Sequence, residues 1–300
     1  MIKDMKEKRS KMRSIDIIDA CTDLGVSVDG AALGPEILTE DLINKKVDNI
    51  HIIHADEDGK EKEKDNKKKN LKKLNEFNIE LYNRVLKSID EKKFPLTIGG
   101  DHSLVIASAL ASIKKNQNLG IIWIDAHGDY NTFKTTITGN IHGLPLAVID
   151  GYEKMYLADF HNGSFYNSKN TVIVGGRDID PLEQENLKDA GVTVFTTEEI
   201  HKRGMKAVME DAIKIACNNT NGMHISYDLD VIDPVICPGV SVPAKNGINL
   251  EEAYEAVDEI IKYKDKLKSL DLVEYNPLKD IDNKTKVIAK TILESLINNI

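Results

Sequence analysis

The sequence predicts an α/β fold, a single three-layer α/β/α domain spanning 1–300 with a mostly parallel central sheet. Three observations carry this expectation. Short β-rich runs alternate with longer amphipathic stretches along the chain, which calls for right-handed crossovers and helices on both sheet faces. The run Ile121-Ile122-Trp123-Ile124 is apolar on both faces, as a covered central strand must be. No Pro/Gly-rich linker and no internal repeat of 20 to 50 residues divides the chain.

The elements follow in order. Ile-rich residues 14–18 are expected as the first strand, 35–43 as a helix entered through Pro35, and 49–54 as the next strand. Residues 71–87 place Leu71, Leu74, Leu81 and Val85 at helical spacing between Lys, Glu and Asn, and 94–98 returns to a short apolar run. The alternation continues with a helix at 103–113, strands at 119–125 and 171–174, a helix at 183–189, a strand at 192–195 and a helix at 207–217. It closes with a strand at 223–228, a helix at 250–261, a strand at 269–273 and a helix at 285–296. Residues 56–73 break the pattern. Dominated by Lys, Glu, Asp and Asn with mixed sign, they are expected to be a solvent-exposed segment running into a helix, without a function. The Asp56–Gly59 run does not make a calcium loop, because setting Gly59 as the turn glycine puts His54 at the first ligand position.

Composition narrows the partners. A chain of 300 residues that is 41% hydrophobic and 30% charged buries a sizeable core, which excludes disorder, collagen and small disulfide scaffolds. Forty basic against 49 acidic residues give a net charge of -9, so neither nucleic acid nor membrane is an expected partner, the Lys-rich 67–73 included. Cys21, Cys217 and Cys237 lack paired spacing, residues 1–13 are charged without an apolar signal core, and no run of 18 apolar residues exists. A cytoplasmic location is expected.

Ligands in open α/β sheets bind at the carboxyl ends of strands, and there the chemistry gathers. Three apolar runs end in GGDHS at 99–103, DAHGD at 125–129 and SYDLD at 226–230. In an extended backbone residues two apart share a side, so Asp125, His127 and Asp129 converge, as do Asp228 and Asp230. His102 completes four carboxylates and two imidazoles. Four gathered carboxylates repel one another unless a cation neutralises them, and this donor set suits two metal ions about 3.5–4 Å apart. Oxygen-rich ligation with some imidazole favours Mn²⁺, with Fe, Co or Zn as alternatives. His51 and His54 fall on opposite strand faces and are not expected to be ligands.

With GGDHS, DAHGD and SYDLDVIDP in this order, the chain resembles the ureohydrolase (arginase and agmatinase) superfamily, from Gly34-Pro35 to the C-terminal helix, and most closely the arginases. The resemblance implies a parallel sheet of about eight strands and two Mn²⁺ per chain, one held by His102, Asp125, Asp129 and Asp228, the other by Asp125, His127, Asp228 and Asp230. It also implies hydrolysis of a guanidinium carbon by a hydroxide bridging the two ions, with L-arginine giving L-ornithine and urea. Catalytic roles fall on Glu274, which would pair with the guanidinium, on His142, which would pass protons to the leaving amine, and on Asp129 besides its place as a ligand. Asn131, Thr138 and Asn140 would hold the α-carboxylate, and Asp180, with Glu183 nearby, the α-amino group. Thr138 stands where many arginases carry Ser, and Val242 where a Thr near the guanidinium-binding acid is usual. The alternatives are a ureohydrolase for agmatine, a guanidino acid or a formimidoyl amino acid, and a catalytically silent metal-binding member. The resemblance further implies a homo-oligomer, trimer or hexamer.

Overall fold

Seven consecutive buried residues, Ile15–Cys21, form β1, and parallel partners lie on both of its sides. These are β2 (Val47–His54) and β3 (Phe94–Gly99). The other strands are β4 (Gly120–Ile124), β5 (Thr171–Gly176), β6 (Thr193–Thr196), β7 (Met223–Asp228) and β8 (Leu267–Val273). All eight are parallel, in the order β2-β1-β3-β8-β7-β4-β5-β6. The computed structural model describes residues 13–40, 42, 47–62, 66–152 and 156–300. The charged stretch read at 1–13 therefore lies outside the described residues except for Arg13, as do 41 and 43 of the helix expected at 35–43.

Helices cover both faces and divide the core in two. Against one face pack α1 (Gly34–Thr39), α7 (Met205–Ala216), α8 (Leu250–Lys262) and α9 (Lys284–Asn299), through Leu38, Met209, Ile260 and Leu293. Against the other pack α2 (Leu71–Asp90), α3 (Val105–Asn116) and α4 (Pro145–Ile149), through Leu81, Leu110 and Leu146, with Leu187 of α5 (Pro181–Ala190). The expected strands and long helices are present, with ends moved by a few residues.

Two helices are additional. At five residues α4 is too short to show a period, whereas α6 (Thr197–Arg203) did carry a signal. Its Thr196 Oγ1 accepts from Glu199 N at 3.2 Å and Glu199 Oε2 accepts from Thr196 N at 3.2 Å, the reciprocal cap that a T-x-x-E sequence encodes.

The charged segment at 56–73 is exposed or half-buried over most of its described residues but is anchored at a few points. Residues 63–65 lie outside the described residues, but Lys69 and Asn70 are buried and the Lys60 side chain is only 6% exposed, paired with the Asp23 carboxylate. Asn70 Nδ2 donates to Leu24 O at 2.9 Å while its Oδ1 accepts from Glu61 N at 2.8 Å. The segment packs on the loop after β1 because its polar atoms find protein partners in place of water, the condition for burying them at all.

Candidate metal centre

The centre lies where four neighbouring strands, β3, β8, β7 and β4, end side by side. After β3 the chain passes Gly100, where an added Cβ would stand 1.8 Å from Thr22 O, so a side chain has no room. Asp101 closes the turn, its Oδ1 accepting from Ser103 N and its Oδ2 from Gly25 N, both at 2.9 Å. It is therefore spent on backbone, and His102 is delivered to the centre. The His102 ring is 1% exposed and stacks on Trp123 with centroids 4.0 Å apart and planes 8° apart. Its Nε2 lies 2.8 Å from Ser226 Oγ.

With Nε2–H donated to Ser226, Nδ1 faces the carboxylates: Asp125 Oδ2 at 3.0 Å, Asp129 Oδ2 at 3.1 Å and Asp228 Oδ2 at 3.0 Å. Beside this group His127 Nδ1 lies 3.3 Å from Asp125 Oδ1 and 2.9 Å from Asp230 Oδ2. The structure thus gathers five of the six predicted ligands in two groups that share Asp125, His102–Asp125–Asp129 and Asp125–His127–Asp230, each able to hold an ion, and Asp228 adjoins the first group through His102. His51 and His54 stay outside, against Asp16 and Glu36.

The backbone that achieves this differs from the expectation. β4 stops at Ile124, Asp129 has a left-handed φ of 47°, and Asp230 sits in a 3-10 turn, Leu229–Val231. Strand alternation is therefore not what aims these side chains. Hydrogen bonds hold them instead: Asp125 accepts from Trp123 Nε1 at 2.9 Å and His127 N at 2.6 Å, and Asp228 Oδ1 accepts from Asp230 N at 2.7 Å. The guanidinium of Arg177 donates to Asp230 O at 2.8 Å and Ala244 O at 2.9 Å, pinning the turn.

The electrostatics are those of a site built around positive charge. Burial pushes Asp228 well above the ordinary carboxylate range, with repulsion from Asp230 and Asp125 adding to it, and pushes Asp129 up to about 6. Burial opposes charge on Asp125 too, but the His102 and His127 imidazoles outweigh it and hold Asp125 low. Both imidazoles are raised by the carboxylates against their own burial. His102 Nδ1, at the focus of three carboxylate oxygens, makes no hydrogen bond among the described residues. Residues of this kind, placed this way, fit a pair of divalent cations.

Beside the cluster opens a cleft of about 230 Å³, and its walls include Asn131, Thr138, Asn140, His142, Asp180 and Glu183. Every substrate contact predicted here, apart from Glu274, thus meets at one opening. Asn131 Nδ2 donates to Asp180 Oδ2 at 3.2 Å. Glu183 is spent on backbone: Oε1 accepts from Tyr130 N at 2.7 Å and Oε2 from Asp180 N at 3.1 Å, while burial lifts the carboxyl to about 8. Glu274 lies behind the wall, 2% exposed, in a left-handed conformation with φ 70°. Its Oε1 accepts from His102 N at 2.9 Å and meets His142 Nδ1 at 3.0 Å, whereas Oε2 has no partner among the described residues.

Ser226, Trp123 and Arg177, which orient the ligands, were not singled out from sequence, and neither were Thr136 and Asp178 on the cleft wall. Ser226 sits two residues before Asp228, so its inward direction was readable from β7. Nothing in the local sequence told its role.

Comparison with known proteins agrees with this geometry. The Arginase family model matches residues 13–298. An arginase of Bacillus subtilis (strain 168) is 38% identical over 293 residues, covering 95% of this chain and 98% of that one. The solved arginase of Bacillus caldovelox superposes with a TM-score of 0.86 at 32% identity, covering 96% of this chain and 99% of the other. That of Entamoeba histolytica, in complex with L-ornithine, gives 0.85 at 30% identity, with the same coverage. The chain belongs to the arginase family.

Proposed function

We propose that this chain hydrolyses L-arginine to L-ornithine and urea, with two Mn²⁺ held by His102, Asp125, His127, Asp129, Asp228 and Asp230. The observation that carries this reading is the pair of ligand groups sharing Asp125, with the cleft of polar donors opening beside them. When bound, the cations neutralise the carboxylates and supply an activated water near neutral pH.

The chain's own residues do the rest. Glu274 Oε2 is a buried acceptor without a partner among the described residues, and guanidinium N–H groups satisfy it with charge-assisted hydrogen bonds that set the planar carbon toward the cluster. His142 opposes burial through its contact with Glu274, which raises the imidazole above its ordinary value. Raised in this way, it is suited to yield a proton to the amine that leaves. Asn131, Thr138 and Asn140 offer neutral donors to an α-carboxylate, and Asp180, bonded to Asn131, offers a carboxylate to the α-ammonium. Glu183 acts one step back, fixing the backbones of Tyr130 and Asp180. The reading includes a cytoplasmic homo-oligomer, trimer or hexamer. Exposed Leu278, Ile281 and Val287 suit a surface between copies, which light scattering tests.

Urea release by Mn²⁺-loaded protein, from L-arginine with agmatine and a guanidino acid alongside and a chelated blank, is the test. Metal-dependent preference for L-arginine is expected. A second reading, another guanidino substrate, draws on Val242, which lines the cleft without a hydroxyl. Faster hydrolysis of agmatine would replace the first reading with the second.

A further inference from the structure

We infer that Lys69 is a positioning residue that sets the hydrogen-bond polarity of the α-carboxylate subsite and so confers preference for substrates carrying that carboxylate. This rests on the arginase reading for the identity of the subsite. Lys69 comes from the segment that composition marks as solvated, yet it is only 1% exposed. Its Nζ donates to Ser27 Oγ at 2.8 Å and to Thr138 O at 3.1 Å. Ser27 Oγ in turn donates to Asn140 Oδ1 at 2.7 Å.

The direction of this relay follows from its first member. An ammonium has donors and no acceptor, so Ser27 must accept from it, and the hydroxyl hydrogen goes on to Asn140. With its oxygen tied back in this way, the Asn140 amide turns its two N–H donors away from Ser27, where the cleft lies. Thr138 is prepared alike: its Oγ1 accepts from Asn140 N at 3.2 Å, which leaves the hydroxyl hydrogen to donate. Both residues thus meet a carboxylate as donors, and the buried positive charge behind them polarises the chain in the same sense. Without Lys69, Ser27 loses the donor that fixes its orientation, and the Asn140 amide can turn its oxygen toward the substrate's own oxygens.

Lys69→Met keeps the length and removes the charge and the donors. In Mn²⁺-loaded full-length protein, KM for L-arginine is expected to rise about tenfold, the scale on which losing one oriented charge-assisted donor acts, with kcat within about twofold. Agmatine, which lacks the carboxylate, should keep its kcat/KM. A purely structural role would lower both substrates together, and that result, or an unchanged KM for L-arginine, overturns the inference. Should Lys69→Met fail to melt cooperatively, Ser27→Ala at a half-buried position decides: the same KM pattern supports the relay and a wild-type KM refutes it. If the wild-type protein shows no preference for L-arginine, the arginase reading fails separately. Calorimetric binding of L-ornithine against 1,4-diaminobutane then still tests Lys69, because the expected loss in Lys69→Met is confined to the ligand with a carboxylate, and equal losses or none refute it.

Discussion

Replacing Ser226 by Ala should weaken Mn²⁺ binding without touching a ligand. Ser226 is fully buried, His102 is 1% exposed, and the 2.8 Å bond between them fixes which ring nitrogen faces the carboxylates. Removing the hydroxyl leaves a buried N–H unsatisfied, at a cost of about 1–3 kcal/mol. Residues that orient a metal-bound imidazole typically account for about 10- to 100-fold in affinity, which is about 1.4–2.7 kcal/mol and agrees. Because Trp123 still holds the ring plane from 4.0 Å away, the lower half of that range, about 10- to 30-fold, is the expected loss. Titration of the metal-free protein with Mn²⁺, following free Mn²⁺ by electron paramagnetic resonance, measures it directly. Urea release should recover toward wild type as Mn²⁺ is raised. Unchanged affinity, or a loss of turnover that excess Mn²⁺ does not restore, would refute the reasoning.

Asp125→Ala removes the ligand common to both groups and should abolish binding of both ions together with turnover, read by metal analysis after gel filtration and by urea release. His142→Ala should retain both ions while lowering kcat by about 10²- to 10⁴-fold, the usual contribution of a positioned acid or base; full activity would end its assignment as the proton donor. Away from the centre, Asp19 is fully buried with Oδ1 unpartnered among the described residues, and burial pushes its carboxyl up to about 7 despite the hydrogen bond from Thr39. A carboxyl raised in the folded state binds its proton more tightly folded than unfolded, so stability falls as pH rises between about 4 and 7. Asp19→Asn removes that penalty. In urea melts its stability relative to wild type should grow across this window, toward a ceiling of about 4 kcal/mol for a shift of about three units, and then level off. A difference independent of pH would contradict the buried-carboxylate account.

The sheet was legible because central strands such as β4 are apolar on both faces and because parallel strands demand the helices seen between them. The cluster of carboxylates and imidazoles was legible for a different reason. Asp125 follows β4 and Asp228 ends β7, strands that pair directly, so the two carboxylates are neighbours whatever the next residues do. Strand alternation puts these residues together, as the structure does, but through a different backbone. A left-handed Asp129 and a 3-10 turn at Asp230 place their side chains, and neither conformation has a period that sequence can display.

Lys69 shows where composition stops informing. A lysine in a run of Lys, Glu, Asp and Asn carries the same composition whether its ammonium meets water or protein oxygens. The difference lies in partners distant in sequence, Ser27 and Thr138, supplied by the loop after β1 and the loop before α4. Glu274 makes the same point from the opposite side. One oxygen is satisfied by His102 N and His142 Nδ1, brought from two other loops, and the other stands unpartnered among the described residues. Sequence could name the acid by resemblance, but an acceptor left open inside the protein is a property of the assembled fold. A buried polar group without a partner is costly. Its persistence beside the cluster is therefore best accounted for by a ligand that completes it, and a guanidinium supplies N–H donors in the planar arrangement that a carboxylate oxygen accepts.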